Sequence, residues 1–316
     1  FTHVKINRIQ IPGLETISGS RSAMEKILGF DEQDFDLFLV DWRYVWLLRS
    51  YLTGIKTPWK IIDRGPPVKS GLFGLLQRRF WIKAWYLAGK LSNGGVVVSE
   101  KHSEYVKRET KFNLEMIVVP AGSIPNRFLV EKSDPKDCLR IVYSGTLEAR
   151  RGIKEIFNLH ELLKANQTHH EIHFCGSGDM AKEVAKICGK NPDLIYHGRL
   201  ENGEVFRLMS ECHLGLMPMP KEEIWEISSP LKLAEYLSSG LSIIGPMHSG
   251  NMLSGEEEWC LLSDSDKWER ETAFEISSLI PGVLDKSTSA ISSSKLLSWD
   301  KIASDFATKL EASLNH

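Results

Sequence analysis

Along most of this chain, short apolar runs alternate with longer stretches in which apolar residues recur every third or fourth position, the signature of buried strands and amphipathic helices. The alternation is clearest from Leu139 onward. "LRIVYSG" reads as a strand ending at Gly145, and "IKEIFNLHELLKAN" as the helix after it. "HEIHFCGSGD" predicts a strand running into a Gly-Ser-Gly turn, followed by the helix "MAKEVAKICGK". "LIYHG", "ENGEVFRLMSEC" and "LGLMPMP" continue the series as strand, helix and strand, and "LSIIG" is a further strand after one more helix. Strands separated by helices of this length imply a parallel sheet with helices on both faces, an α/β doubly wound fold. In such sheets ligands bind beyond the carboxyl ends of the strands. Gly145, Gly176 to Gly178, Gly198 and the start of the helix at Ser229 all follow strands and so gather at that edge.

The first part of the chain reads as a second α/β unit, with strand candidates in "HVKINRIQIP", "FDLFLVD", "WKIID", "GGVVVSE" and "MIVVP". "IPNRFLVEKSDPKD" is polar and holds two prolines, which suits a linker. The expected domains are residues 1–135, residues 136–297, and a terminal helix over 298–316.

Composition changes this picture little. The 316 residues are 42% hydrophobic and 25% charged, ordinary for a globular protein with room for two cores. A net charge of −2 argues against a general nucleic-acid binder. Five cysteines are scattered singly, with no His or Cys at metal-ligand spacing, so no metal site is expected and the thiols read as reduced, cytoplasmic ones. No apolar run is long enough for a membrane span.

The stretch "SSPLKLAEYLSSG" carries the chemistry. Ser229 suits an N-cap, Pro230 the first helical position, and Gly240 the left-handed residue past the end. Lys232 then falls in the first turn, where a cation opposes the helix dipole. Lys232 and Glu235, three apart, share a helix face. Either they form a surface ion pair, or an anion such as a phosphate faces the lysine at this helix N-terminus and a ribose faces the glutamate.

"SSPLKLAEYLSSGLSIIG" resembles the donor-site signature of retaining GT-B glycosyltransferases. "IVYSGTLEARRGI", "HFCGSGD", "YHGRLENGEVFRLMSECHLGLMP" and "SWDKIASDFATKLEASL" are similar to further segments of that family in the same order, and "IIDRGPP", "GGVVVSEKHSEYV" and "IVVPAGSIPNRF" match more loosely. The resemblance implies a GT-B architecture of two Rossmann-like domains facing a cleft, with the first βα unit absent, so that the N-terminal domain is truncated. It implies transfer of a sugar from a nucleotide-diphosphate donor of the UDP or GDP type, with retention, to a glycan or lipid-linked glycan, and no other cofactor. On that resemblance Lys232 and Arg151, with backbone near Gly145, Thr146, Ser229, Pro230 and Leu231, hold the diphosphate. Glu235 takes the ribose, Gly198, Arg199 and Leu200 the base, and Arg64 faces the cleft. Three positions depart from the pattern: Ile227 stands in place of a first glutamate, Thr146 in place of an arginine, and Arg151 in place of a lysine. Ile227, Thr146 and the truncated N-terminal domain favour an alternative, a catalytically degenerate GT-B module that binds nucleotide sugar or acts as a scaffold.

Between Arg64 and Ser99 there is no acid, while Lys69, Arg78, Arg79, Lys83 and Lys90 lie among Phe73, Phe80, Trp81, Trp85 and Tyr86. Cations interleaved with aromatics suit an anionic bilayer surface, which makes residues 69–90 a candidate membrane contact at the inner face. The competing reading is a core helix with a solvated basic face.

Overall fold

The computed structural model describes residues 14–31, 34–67 and 71–314. Two compact units divide the chain: residues up to Pro120 with those from Lys309 onward, and Ala121 to Thr308.

The first unit runs through α1 (Leu14–Ile27), β1 (Phe38–Asp41), α2 (Trp42–Val45), α3 (Arg49–Gly54), β2 (Trp59–Ile62), α4 (Gly71–Leu91), β3 (Gly95–Val97), α5 (Glu100–Thr110) and β4 (Met116–Val118). Its strands lie in the order β1-β2-β3-β4, all parallel. The strand expected in "HVKINRIQIP" falls outside the described residues.

Helix α4 buries Gly74, Trp81, Ala84, Trp85 and Ala88, a stripe at helical spacing. Its anchor is Asp63, fully buried just past β2. Asp63 Oδ2 accepts from Trp81 Nε1 at 2.6 Å and Trp85 Nε1 at 2.9 Å, and Oδ1 accepts from the Gly65 N–H at 2.9 Å. His102 Nε2 on α5 lies 3.5 Å away. Burial alone would raise this carboxyl's pKa, but His102 and the two indoles outweigh it and hold the group below its usual range. A buried carboxylate is tolerable because it is this well supplied with donors, and the network ties β2, α4 and α5 together.

The second unit contains β5 (Leu139–Ser144), α6 (Ile153–Ala165), β6 (His170–Cys175), α7 (Ala181–Cys188), β7 (Leu194–Gly198), α8 (Asn202–Glu211), β8 (Leu214–Leu216), α9 (Glu223–Glu226), α10 (Leu231–Ser238), β9 (Ser242–Pro246), β10 (Cys260–Ser263), α11 (Trp268–Leu279) and α12 (Lys286–Ser294), and the part of α13 (Trp299–Leu314) up to Thr308. The segment with linker character is bonded into this unit: Asn126 Nδ2 donates to Phe206 O and Ser239 Oγ, and Lys132 Nζ to Gly240 O.

Its six parallel strands lie in the order β10-β9-β8-β5-β6-β7. β10, in "WCLLSD", adds a strand to those read from the apolar pattern. Two cores cover the two faces. Leu139, Ile141 and Tyr143 of β5 point to one, with Ile153 and Ile156 of α6 and Ile276 of α11. Val142 points to the other, with Phe206, Leu233, Tyr236 and Ala290. The chain moves outward from β5 through β6 to β7, then returns to place β8 on the other side of β5. That reversal makes the carboxyl ends of β5 and β8 the switch point, where ligands bind in open α/β sheets.

Candidate functional site

The loops at this switch point pack backbone against backbone. Gly145 has φ +143° and Gly176 φ +143°, and a Cβ on Gly176 would sit 1.8 Å from Gly145 O. A Cβ on Gly152 (φ +78°) would sit 1.9 Å from Pro218 O, and one on Gly178 2.2 Å from Leu147 O. Glycine is required at all three by the space, and at Gly152 and Gly176 also by the backbone.

Helix α10 starts at this edge, though not as its sequence suggests. Pro230 occupies the N-cap, and the Ser229 hydroxyl instead accepts from the Ala121 N–H at 2.8 Å. Ser229 therefore lies one position before the N-cap, and its hydroxyl is held by a donor 108 residues away in sequence. The C-terminal end is as expected. Gly240 (φ +67°) donates to Leu237 O and Leu241 to Tyr236 O, the paired bonds of a Schellman motif.

Lys232 is not a surface residue. It is only 8% exposed, and its Nζ lies 4.1 Å from the centroid of the Tyr143 ring and 3.9 Å from Met219 Sδ. No ion pair to Glu235 forms, and among the described residues no carboxylate oxygen lies within 4 Å of Nζ. Burial pushes the ammonium down to about 7, aided by Arg151 and opposed by Glu235. Glu235, half-buried, is pushed up by burial, with Lys232 opposing. The surface ion pair expected as one alternative does not form, because Lys232 is buried and Glu235 does not reach it. A buried cation without a counterion is unfavourable, and it sits where the fold expects a ligand.

Arg151 closes the short 3-10 turn Ala149–Arg151. Its Nε is 3.3 Å from Glu148 Oε2, and its guanidinium lies over Trp225 at 5.0 Å. The Gly145 N–H, expected to face a diphosphate, donates to Cys175 O at 2.9 Å and is spent on the sheet. The next amide, on exposed Thr146, has no partner among the described residues, while Thr146 O accepts from the Tyr143 hydroxyl at 2.8 Å. Leu231 is exposed at the first position of α10. Gly198 (φ +70°) ends the edge strand β7; Arg199 is exposed, and Leu200 packs partly on the core. Ile227 is buried. Tyr143 and Met219, which touch the Lys232 amine, carry only the pattern of core residues in the sequence.

In the first unit, Arg64 is exposed just past Asp63, with no ion-pair or hydrogen-bond partner among the described residues. Trp81 and Trp85, read as membrane-facing candidates, are buried on Asp63. Lys69 lies outside the described residues. The exposed part of α4 is different: Leu72, Phe73, Leu75, Leu76 and Phe80. Arg78 pairs with Glu109, Lys83 lies over Trp46, and Lys90 lies over Tyr86. No described helix is long and apolar enough to cross a membrane. Among the described residues no group of three or more His, Cys, Asp or Glu is placed to hold a metal, and the five cysteines are unpaired.

Neither a family model nor a curated protein matches this chain. Solved structures do, across nearly its whole length. Sucrose-phosphate synthase from Thermosynechococcus elongatus aligns over 98% of this chain and 82% of its own, with TM-score 0.77 and 13% identity. HepE from Anabaena, solved with UDP-glucose, aligns over 95% of this chain and 82% of its own, with TM-score 0.68 and 11% identity. A UDP-forming α,α-trehalose-phosphate synthase from Burkholderia xenovorans, solved with glucose-6-phosphate, aligns over 94% of this chain and 76% of its own, with TM-score 0.69 and 12% identity. At these identities the likeness shows the fold: α/β with two parallel sheets, of the GT-B class expected from the sequence.

Proposed function

We propose that this protein transfers a sugar, with retention, from a nucleotide-diphosphate donor to a glycan or lipid-linked glycan. One observation carries the reading: a buried lysine without a counterion at the carboxyl-end switch point of the second sheet. The solved structures with UDP-glucose or UDP-forming chemistry support the donor class. In this reading the diphosphate lies against Lys232, with Arg151, the Thr146 N–H and the first-turn amide of Leu231 completing its contacts beside Gly145, Ser229 and Pro230. The positive charge stabilises the departing diphosphate where charge develops, and no protein nucleophile is needed. Glu235 accepts from the ribose hydroxyls. Gly198, Arg199 and Leu200 take the base; they end a strand two places from β5, roughly 10 Å at ordinary strand spacing, a span that suits a nucleotide.

Calorimetry with UDP, GDP and inorganic pyrophosphate, followed by hydrolysis of a panel of UDP- and GDP-sugars, tests this. One nucleoside diphosphate should bind, and Glu235→Gln should weaken it about tenfold or more while leaving pyrophosphate unchanged, as loss of a charged hydrogen bond requires. Equal weakening of both ligands removes Glu235 from the ribose. Binding without turnover would assign the chain to the degenerate module that buried Ile227 favours.

A second observation, the exposed apolar start of α4, supports peripheral attachment to an anionic membrane at the cytoplasmic face, with the acceptor lipid-borne.

A further inference from the structure

We propose that Tyr143 and Met219 form a slot that keeps Lys232 without a counterion until an anionic diphosphate enters, so that ligand binding and proton uptake by Lys232 are one event. The coupling rests on the diphosphate reading above.

The slot is soft. An aromatic face at 4.1 Å and a thioether at 3.9 Å attract a cation weakly, far less than a carboxylate in the same place. It is also held open by groups with other obligations. The Tyr143 hydroxyl is committed to Thr146 O, and the Ser144 N–H donates to the Tyr236 hydroxyl at 2.9 Å, which fixes α10 against β5. Gly145 leaves the remaining space, since a Cβ there would lie 3.2 Å from Nζ. The lysine tip therefore has a defined position, against the ring, the thioether and the Gly145 backbone.

The charged and titratable groups around it do not supply the missing anion. From its own helix, Glu235 forms no ion pair with it and is itself favoured toward the neutral form by burial. From the 3-10 turn, Arg151 adds a like charge, and Glu148 is engaged by both Arg150 and Arg151. From β5, burial raises the Tyr143 phenol far above neutrality, so it stays uncharged. From the loop after β8, Lys221 is paired with Asp264 at 2.8 Å. From the loop after β9, His248 Nε2 is bonded to Met219 O at 3.1 Å. Burial thus leaves the amine largely neutral above about pH 7. A diphosphate beside Nζ reverses the balance, because a nearby opposite charge favours the ammonium. Uptake should be close to one proton at about pH 8 and fall toward zero near pH 6, where the free protein already holds the proton.

The full chain labelled with 13Cε-lysine allows the test by NMR, the Lys232 resonance being assigned by its loss in Lys232→Met. Without ligand it should titrate near neutrality, and with inorganic pyrophosphate, UDP or GDP it should stay charged through about pH 9. Calorimetry of UDP and GDP, whose phosphates are fully ionised at about pH 8, in Tris and in HEPES at that pH should give heats that differ in proportion to the difference between the buffers' ionisation enthalpies. A free-protein resonance that stays charged through that range overturns the proposal, as does binding with buffer-independent heat. If none of the three ligands binds, the diphosphate reading fails and the coupling with it; binding without proton uptake sinks the coupling alone.

Discussion

Lys232 is charged in water and confined in the folded protein, and its effect on stability therefore has a sign. Its folded pKa, about 7, lies below the value near 10.4 of a free lysine. Between those values the unfolded chain binds more protons, so stability rises with pH. Below the folded value the penalty is complete, and it fades as the amine loses its proton. Lys232→Met should raise Tm near pH 6 by roughly 2–4 °C for each kcal/mol of burial penalty removed, the scale for a domain of this size. The gain should shrink toward pH 9, and thermal scans across that range check it. A gain that is the same at every pH would place the lysine in water. That it is buried could not be read from "SSPLKLAEY", because charge pattern marks a helix face but not what covers it. Ser229 shows the same limit, since its hydroxyl goes to Ala121, a partner that no local pattern reveals.

At the scale of elements, α4 has two sides that one sequence pattern blends. Trp81 and Trp85 belong to the core because Asp63 needs their indole N–H groups, whereas Leu72, Phe73, Leu75, Leu76 and Phe80 remain exposed. An apolar helix surface with Arg79 and Lys83 beside it and no acid along the helix fits an anionic bilayer, at about 1 kcal/mol per basic residue near the surface. Sedimentation with liposomes should show binding that requires anionic lipid and fades with salt. Leu75→Ser/Phe80→Ser should abolish it, and Arg79→Glu should weaken it several-fold. Binding equal to neutral and anionic vesicles, or unaffected by these changes, would return α4 to an ordinary surface helix. The strands were the most legible elements, since short apolar runs between helices have few other homes. β10 was the exception, because "CLLS" is brief and follows a long polar loop.

For the whole molecule, the alternation of strand and helix was enough to expect two parallel sheets. Strand order, and with it the switch point, comes from contacts distant in sequence. Where backbone passes backbone at that point, the consequence is genetic. At Gly152, Gly176 and Gly178 the atoms that any side chain would strike are carbonyl oxygens of Pro218, Gly145 and Leu147. Trimming a neighbouring side chain removes none of them. A saturation library selected for the protein's activity should therefore return only glycine codons at these three positions. Suppressor screens begun from Gly176→Ala should yield revertants and no compensating second-site change. Gly198, where a Cβ meets nothing within 4 Å, should tolerate asparagine in the same library.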